Sequence, residues 1–197
     1  MTFPLRTSPS IGDSQLATPP HDATIPESTE EIIAYIIERF HNGHRRDLPG
    51  LIVLARKVES VHGSHPAAPK GLADFLDEVA ESLEGHMQKE EQILFPMLRN
   101  GGHPMIGHPI AMMRTEHDDH VSNLAHLLAL TNGLKAPEGA CGSWRALYEG
   151  LGELSAELNE HIRVENEILF PIPPFRRIAA HHQIRRTSRA LRAAMRA

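Results

Sequence analysis

The chain has 197 residues, 41% of them hydrophobic and 5% aromatic, which is enough for one domain with a mainly aliphatic core. Its single cysteine, Cys141, excludes an internal disulfide and a cysteine-only metal site, and it suggests a reducing compartment. The net charge is −5, but the C-terminal end is basic, because seven arginines and no acidic residue follow Glu167. Such a run is typical of a solvated tail, and without a nucleic-acid motif it does not indicate nucleic-acid binding.

The first residues predict neither regular structure nor membrane insertion. Residues 1–27 are rich in Pro, Ser and Thr and lack hydrophobic periodicity, so we expect a disordered lead-in. They contain no apolar signal core, and no apolar run in the chain approaches the roughly 20 residues that a membrane helix needs. The cytoplasm is therefore the expected location.

Helical patterns follow in chain order. Ser28 or Thr29 can cap the first segment, and Pro49 either kinks one long helix or starts a new one. These patterns cover residues 30–41, 48–62, 69–98, 110–133 and 143–171. Because the connections are short, we expect an all-α, antiparallel up-down four-helix bundle over residues 28–175, followed by a basic tail over residues 176–197.

One sequence frame, H-x-x-x-E-x-x-I-L-F-P, occurs twice, starting at His86 and at His161. Histidine and glutamate four positions apart lie on one helix face, about 6 Å apart along the axis. A single copy would be an ordinary ion pair on a solvent-exposed helix. Two copies, each followed by apolar residues, indicate buried helices, and a metal is one of the few partners that satisfies several buried carboxylates at once. Glu90 and Glu165 are these carboxylates.

The other two helices should supply the remaining ligands. His117 lies among apolar residues of the 110–133 pattern, whereas His41 and His44 both follow the first segment and either can reach the core. His62 lies roughly 20 Å or more along a helix from His41, so both cannot bind one cluster. We therefore assign His41 and expect His62 to be a loop or surface residue. The other histidines are expected to be ordinary core or surface residues: His65, His103, His108, His120, His126, His181 and His182.

Imidazole and carboxylate ligands without thiolate suit iron, manganese or zinc, and the ligand types alone do not choose among them. If Glu90 and Glu165 bridge two ions and the four histidines divide two apiece, each ion has four protein ligands. A bridging oxide or hydroxide is a fifth ligand. An octahedral iron then keeps one open position, where nitric oxide, dioxygen or peroxide can bind.

At these residues the chain resembles the hemerythrin-like di-iron proteins, most closely the repair-of-iron-centres family linked to nitrosative stress. The resemblance covers roughly residues 30–172, in IIERFHNGHRRDLPGL, LARKVESVHGSHPAAPKGL, EGHMQKEEQILFPML, TEHDDH, CGSW and EHIRVENEILFP. It implies a four-helix bundle with two oxo- or hydroxo-bridged iron ions. The implied ligands are His41, His86, Glu90, His117, His161 and Glu165, and Glu116, beside His117, matches a family acid near the metal.

The resemblance also implies an activity: binding or reducing nitric oxide, and supplying iron to rebuild damaged iron–sulfur clusters. The implied partners are nitric oxide or dioxygen, iron–sulfur proteins as iron acceptors and an electron donor that the sequence does not identify. Many members begin with a small domain carrying adjacent cysteines, whereas here a Pro- and Ser-rich segment stands first. Thiol-assisted iron transfer is therefore not expected, which shifts the weight toward nitric oxide chemistry.

Two other functions are compatible with the sequence. One is a reversible dioxygen carrier or oxygen sensor, since classical carriers use five histidines, two of them from the third helix, and His120 follows His117 by three positions. The other is a structural bundle whose histidine and glutamate pairs bind no metal. The duplicated frame favours a metal site over the second of these.

Overall fold

The structure, a computed structural model, describes residues 25–171, and within that range the regular elements are helices. Helix α1 covers residues 29–62 and consists of Thr29–Ile36, a π-helical turn at Ile37–His41, and Asn42–His62. Pro49 lies inside α1, so it does not begin a new helix. Ser28 caps α1: its hydroxyl accepts a hydrogen bond from the backbone N–H of Glu31 at 3.2 Å.

Three more helices complete the described fold. Helix α2 covers residues 72–99 as Leu72–Lys89, a π-helical turn at Glu90–Leu94, and Phe95–Arg99. Helix α3 is Gly107–Leu130, and α4 covers residues 142–169 as Gly142–Arg163 and a π-helical turn at Val164–Leu169. The prediction of an all-α four-helix bundle is confirmed. The lead-in before residue 25, His181, His182 and the basic tail lie outside the described residues.

Neighbouring helices run antiparallel, as their ion pairs show. Arg45 of α1 pairs with Glu84 of α2, and Arg56, further along α1, pairs with the earlier Asp77. As residue numbers increase along α1, the numbers of the α2 residues that pair with them decrease, so the two helices are antiparallel. The same reversal relates α1 to α4 and α2 to α3. Within the described residues, no helix is long and apolar enough to cross a membrane.

The bundle core consists of two apolar layers with polar side chains between them. One layer is built around residues such as Leu76, Leu147 and Leu151, which are fully buried. The other is built around residues such as Ile33 and Phe95, also fully buried. On each helix the buried histidines and glutamates lie where the first layer meets the second; Met87 of the first layer and Val164 of the second stand among them.

Gly71 starts α2 with a backbone φ of +83°, a conformation that residues with a Cβ rarely adopt. A Cβ at Gly71 would meet no atom within 4 Å, so a substitution there tests the backbone alone. We expect Gly71→Ala to lower the free energy of unfolding by about 1–2 kcal/mol. Gly50→Ala is the matched control: it too has open space, within a helix, and should raise the stability by about 0.5–1 kcal/mol. Denaturant unfolding of both variants measures the difference.

Candidate metal centre

Three of the four helices contain a π-helical turn at the level of the polar layer. His41 is the last residue of the turn in α1, Glu90 is the first in the turn of α2, and Glu165 is the second in the turn of α4. A π turn holds more residues than an α turn and changes the direction of the side chains that follow it, and such turns occur frequently at functional sites. No pattern in the sequence indicated these π-helical turns.

Six buried side chains converge in the polar layer and form two groups of four. The first group is His41, Glu90, His161 and Glu165, and the second is His86, Glu90, His117 and Glu165. Within each group, one nitrogen or oxygen atom per residue lies within 4.8 Å of all the others. The two glutamates belong to both groups, and each of the six residues is at most 1% exposed.

Glu90 lies between the two groups and faces one histidine of each. Its Oε2 is 3.4 Å from Nε2 of His41 and 3.5 Å from Nε2 of His86. Because His41 belongs to the first group and His86 to the second, a carboxylate in this position can bind one ion in each group.

Glu165 has the same arrangement from the opposite helix. Its Oε2 is 3.0 Å from Nε2 of His117, in the second group, and its Oε1 is 3.1 Å from Nε2 of His161, in the first. In the second group, Nε2 of His86 and Nε2 of His117 are only 3.2 Å apart. Acceptor atoms converge in this way where they share a cation.

The contacts among these six residues do not satisfy their polar atoms. Within residues 25–171, all four carboxylate oxygens of Glu90 and Glu165 lack a hydrogen-bond partner, as do Nε2 of His41 and both ring nitrogens of His161. A buried polar atom without a partner costs about 1–3 kcal/mol, and a buried charge costs more. A pair of divalent cations would satisfy these atoms, and nitrogen and oxygen donors without thiolate suit iron, manganese or zinc.

Carboxylates hold two of the histidines from outside the two groups. Nδ1 of His41 donates a hydrogen bond to Glu91 Oε1 at 2.7 Å, and Arg45 donates to the same oxygen at 2.8 Å. Nδ1 of His86 donates to Glu116 Oε2 at 2.9 Å. A protonated Nδ1 leaves the Nε2 lone pair free for a metal and fixes the orientation of the ring.

The other two histidines are held differently. Nδ1 of His117 lies 3.2 Å from Oδ1 of Asn166, an amide oxygen that can accept its hydrogen bond. Within the described residues, Nδ1 of His161 has no such partner; its ring stacks on Phe40, with ring centroids 5.1 Å apart and an interplanar angle of 11°. Each group therefore contains one histidine whose Nδ1 is bonded to a carboxylate and one whose Nδ1 is not.

Burial and neighbouring charges shift the pKa values of these groups. Burial lowers the pKa of His41 to about 4 and that of His86 to about 3, so both rings are neutral near pH 7. Burial and the charge of Glu165 raise the pKa of Glu90 well above its usual range. For Glu165, burial acts in the same direction, but the contacts with His161 and His117 outweigh it and hold its pKa well below the usual range.

Glu91 and Asn166 were missed by sequence reasoning. Each directly follows the glutamate of one copy of the repeated frame, so a polar residue after that glutamate was the available signal. Glu116 was expected near the metal because it matches a family acid in that place; the structure places its carboxylate on His86, in the adjacent helix.

The remaining histidines take different places. His44 and His120 are buried next to the two groups but belong to neither. The ring of His44 is 5.4 Å from that of His161, and the ring of His120 is 5.1 Å from that of His86. His62 ends α1 far from the six residues, with Nε2 3.1 Å from Sγ of Cys141. His65 is half-buried, whereas three others are exposed: His103, His108 and His126.

Comparison with known proteins defines the class. A family model described as the hemerythrin HHE cation binding domain matches residues 32–172. The chain therefore belongs to the hemerythrin family, whose domain binds cations, as the motifs in the sequence suggested.

Particular relatives narrow the resemblance to the repair-of-iron-centres branch. The chain is 45% identical over 160 residues to the iron-sulfur cluster repair protein YtfE of Yersinia pseudotuberculosis serotype IB (strain PB1/+) and to the protein of the same name from Yersinia pestis (strain Pestoides F). Each match covers 80% of this chain and 72% of the relative. The resemblance to this family is thus confirmed.

The metal-free protein provides a test of the buried carboxylates. Because the folded state raises the pKa of Glu90, it holds a proton there that the unfolded state releases above about pH 4.3. The contribution of Glu90 to the free energy of unfolding is therefore fully present below that pH. It is lost as the pH rises toward the pKa of Glu90 in the folded state. We expect metal-free Glu90→Gln to be about 1–3 kcal/mol more stable than the wild type at neutral pH, and the difference to grow as the pH rises above about 4.3.

Glu91→Gln is the matched control, because the pKa of Glu91 shifts the other way. Burial raises this pKa, but the hydrogen bonds from Arg45 and His41 outweigh burial and lower it. Glu91→Gln should therefore destabilise the metal-free protein at neutral pH, and less so in acid. Urea unfolding in the presence of a chelator measures both variants. If the stability of both variants depended on pH in the same way, the pKa of Glu90 would not be raised in the metal-free protein.

Proposed function

We propose that the chain is a cytoplasmic non-haem di-iron protein that binds or reduces nitric oxide and supports the repair of iron–sulfur centres under nitrosative or oxidative stress. The observation that carries this proposal is the pair of four-residue groups sharing two buried glutamates. The relatives are named as iron–sulfur cluster repair proteins, which supports iron as the metal and iron–sulfur proteins as the recipients.

In this proposal each of the six residues would have a definite role. Glu90 and Glu165 would be bridging ligands shared by the two ions, because each faces one histidine of each group. The histidines would be terminal ligands, with His41 and His161 holding one ion and His86 and His117 the other. Iron bound here supplies one-electron redox chemistry and open coordination positions for a small ligand such as nitric oxide.

The side chains around the six residues would orient the ligands and exclude water from the site. Glu91, Glu116 and Asn166 fix the rings of three histidines, so their Nε2 atoms stay directed at the centre. The apolar layers on both sides exclude bulk water from the polar layer. Exclusion of water protects a reactive centre from side reactions and strengthens its electrostatic interactions.

A reversible dioxygen carrier remains the alternative, and it would require a fifth histidine ligand. His120 is the candidate from the third helix, but it lies outside both groups. With two histidines and two shared carboxylates on each side, neither ion would be saturated by the protein. Because both ions would keep an open position, this ligand set favours nitric oxide chemistry over stable storage of dioxygen.

The ligand set predicts two iron ions per chain and an unequal effect of removing a bridge or a terminal ligand. Glu165→Ala removes a ligand of both ions, so we expect it to lose both and to be destabilised by several kcal/mol. His41→Ala leaves both bridges in place and should keep more of the metal. His62→Ala, the same substitution outside the groups, should keep two ions. Metal analysis of protein purified without a histidine tag measures all three; full iron in Glu165→Ala would contradict the bridging role.

The proposed function also predicts how the reduced, iron-loaded protein responds to gases. Two unsaturated ferrous ions should bind nitric oxide, whereas dioxygen should oxidise them without a long-lived adduct. Anaerobic mixing followed by optical spectroscopy detects binding, and analysis of nitrous oxide in the headspace separates reduction from sequestration. A stable, reversible dioxygen adduct with no nitric oxide adduct would favour the oxygen carrier instead.

A further inference from the structure

A cavity of about 190 Å³ with a wide opening to solvent lies between α1 and α2, beside the candidate metal centre. Leu48, Ala80 and Met87 give it an apolar wall. Arg45 and Glu84, which also line it, are partly exposed and joined by two hydrogen bonds of 2.8 and 3.1 Å. Because these two charges compensate each other, the entrance has little net attraction for an anion or a cation.

His44 lies at the inner side of this cavity. It lines the cavity, is only 2% exposed, and its ring is 5.4 Å from the ring of His161. It therefore stands between the cavity and the first group of ligands. Its Nε2 has no hydrogen-bond partner among the residues that the structure describes. An apolar side chain at this place would avoid the cost of burying an unpaired polar atom, so the imidazole indicates a partner that arrives from outside.

We propose that this cavity is the entry subsite for a small uncharged molecule, and that His44 is a positioning residue that holds the molecule by a hydrogen bond from its ring. The inference rests on the proposed function, in which that molecule is nitric oxide. The volume is sufficient, since a water molecule occupies about 30 Å³ in the liquid. The apolar wall and the compensated charges at the entrance select against ions.

A first experiment tests the cavity without any reaction. Xenon binds in apolar cavities, so crystals of the iron-loaded protein under xenon pressure should show xenon between Leu48, Ala80 and Met87. Ala80→Met adds a side chain to the wall without removing a residue of the fully buried core. Xenon should be absent from this variant. An empty wild-type cavity, or equal xenon in both proteins, would overturn the subsite.

A second experiment tests entry and positioning with nitric oxide as the probe. In stopped-flow mixing of the reduced, iron-loaded protein, Ala80→Met should slow association by about tenfold. His44→Leu should speed dissociation by about tenfold, the equivalent of one hydrogen bond, and shift the infrared N–O stretching frequency of bound nitric oxide. His44→Gln keeps an N–H donor and should restore part of both effects. Iron content is measured for every variant, so that loss of metal is not mistaken for loss of positioning.

His120→Leu is the matched control. His120 is also buried beside a ligand histidine and has unpaired ring nitrogens, but it does not line this cavity. Its substitution should leave the nitric oxide kinetics within about twofold of the wild type. If wild-type protein failed to bind nitric oxide, the proposed function and this inference would both be wrong. If it bound nitric oxide while Ala80→Met and His44→Leu behaved as the wild type, only this inference would be wrong.

Discussion

The fold is organised around two carboxylates that the chain itself does not satisfy. Glu90 and Glu165 are fully buried between two apolar layers, and in the described part of the chain none of their four oxygens has a hydrogen-bond partner. Such groups are costly in a protein interior unless a cation compensates them. The bundle accepts this cost at the level where histidine nitrogens from all four helices converge on the same two carboxylates.

The exposure of the polar side chains to solvent decreases in steps from the surface to this centre. Arg45 and Lys89 are partly exposed and pair with the half-buried acids Glu91 and Glu116, and each acid in turn holds a fully buried histidine. The cations keep the acids ionised, and ionised acids orient and polarise the imidazoles. Side chains that never reach the centre thereby influence how strongly its histidines can donate to a metal.

Local patterns in the sequence predicted the helices and part of the site. Hydrophobic periodicity gave the four helices, because an amphipathic segment buries one face whatever its neighbours are. The pairs His86 with Glu90 and His161 with Glu165 follow from spacing, since residues four apart share a helix face. Pro49 was ambiguous, because both a kink and a helix start satisfy its missing N–H, and only the packed structure places it inside α1.

The sequence by itself determined which residues of one helix face together: the two histidine–glutamate pairs and the amphipathic faces that drive the bundle. The tertiary structure decided the pairings between helices: Glu90 with His41, Glu165 with His117, and Glu116 with His86 rather than with its neighbour. These partners are 30 to 49 positions apart, and their contact depends on how the helices rotate against one another and on the π-helical turns, which no local pattern encodes. Local geometry is fixed by chain spacing, whereas the centre exists only once four helices are packed.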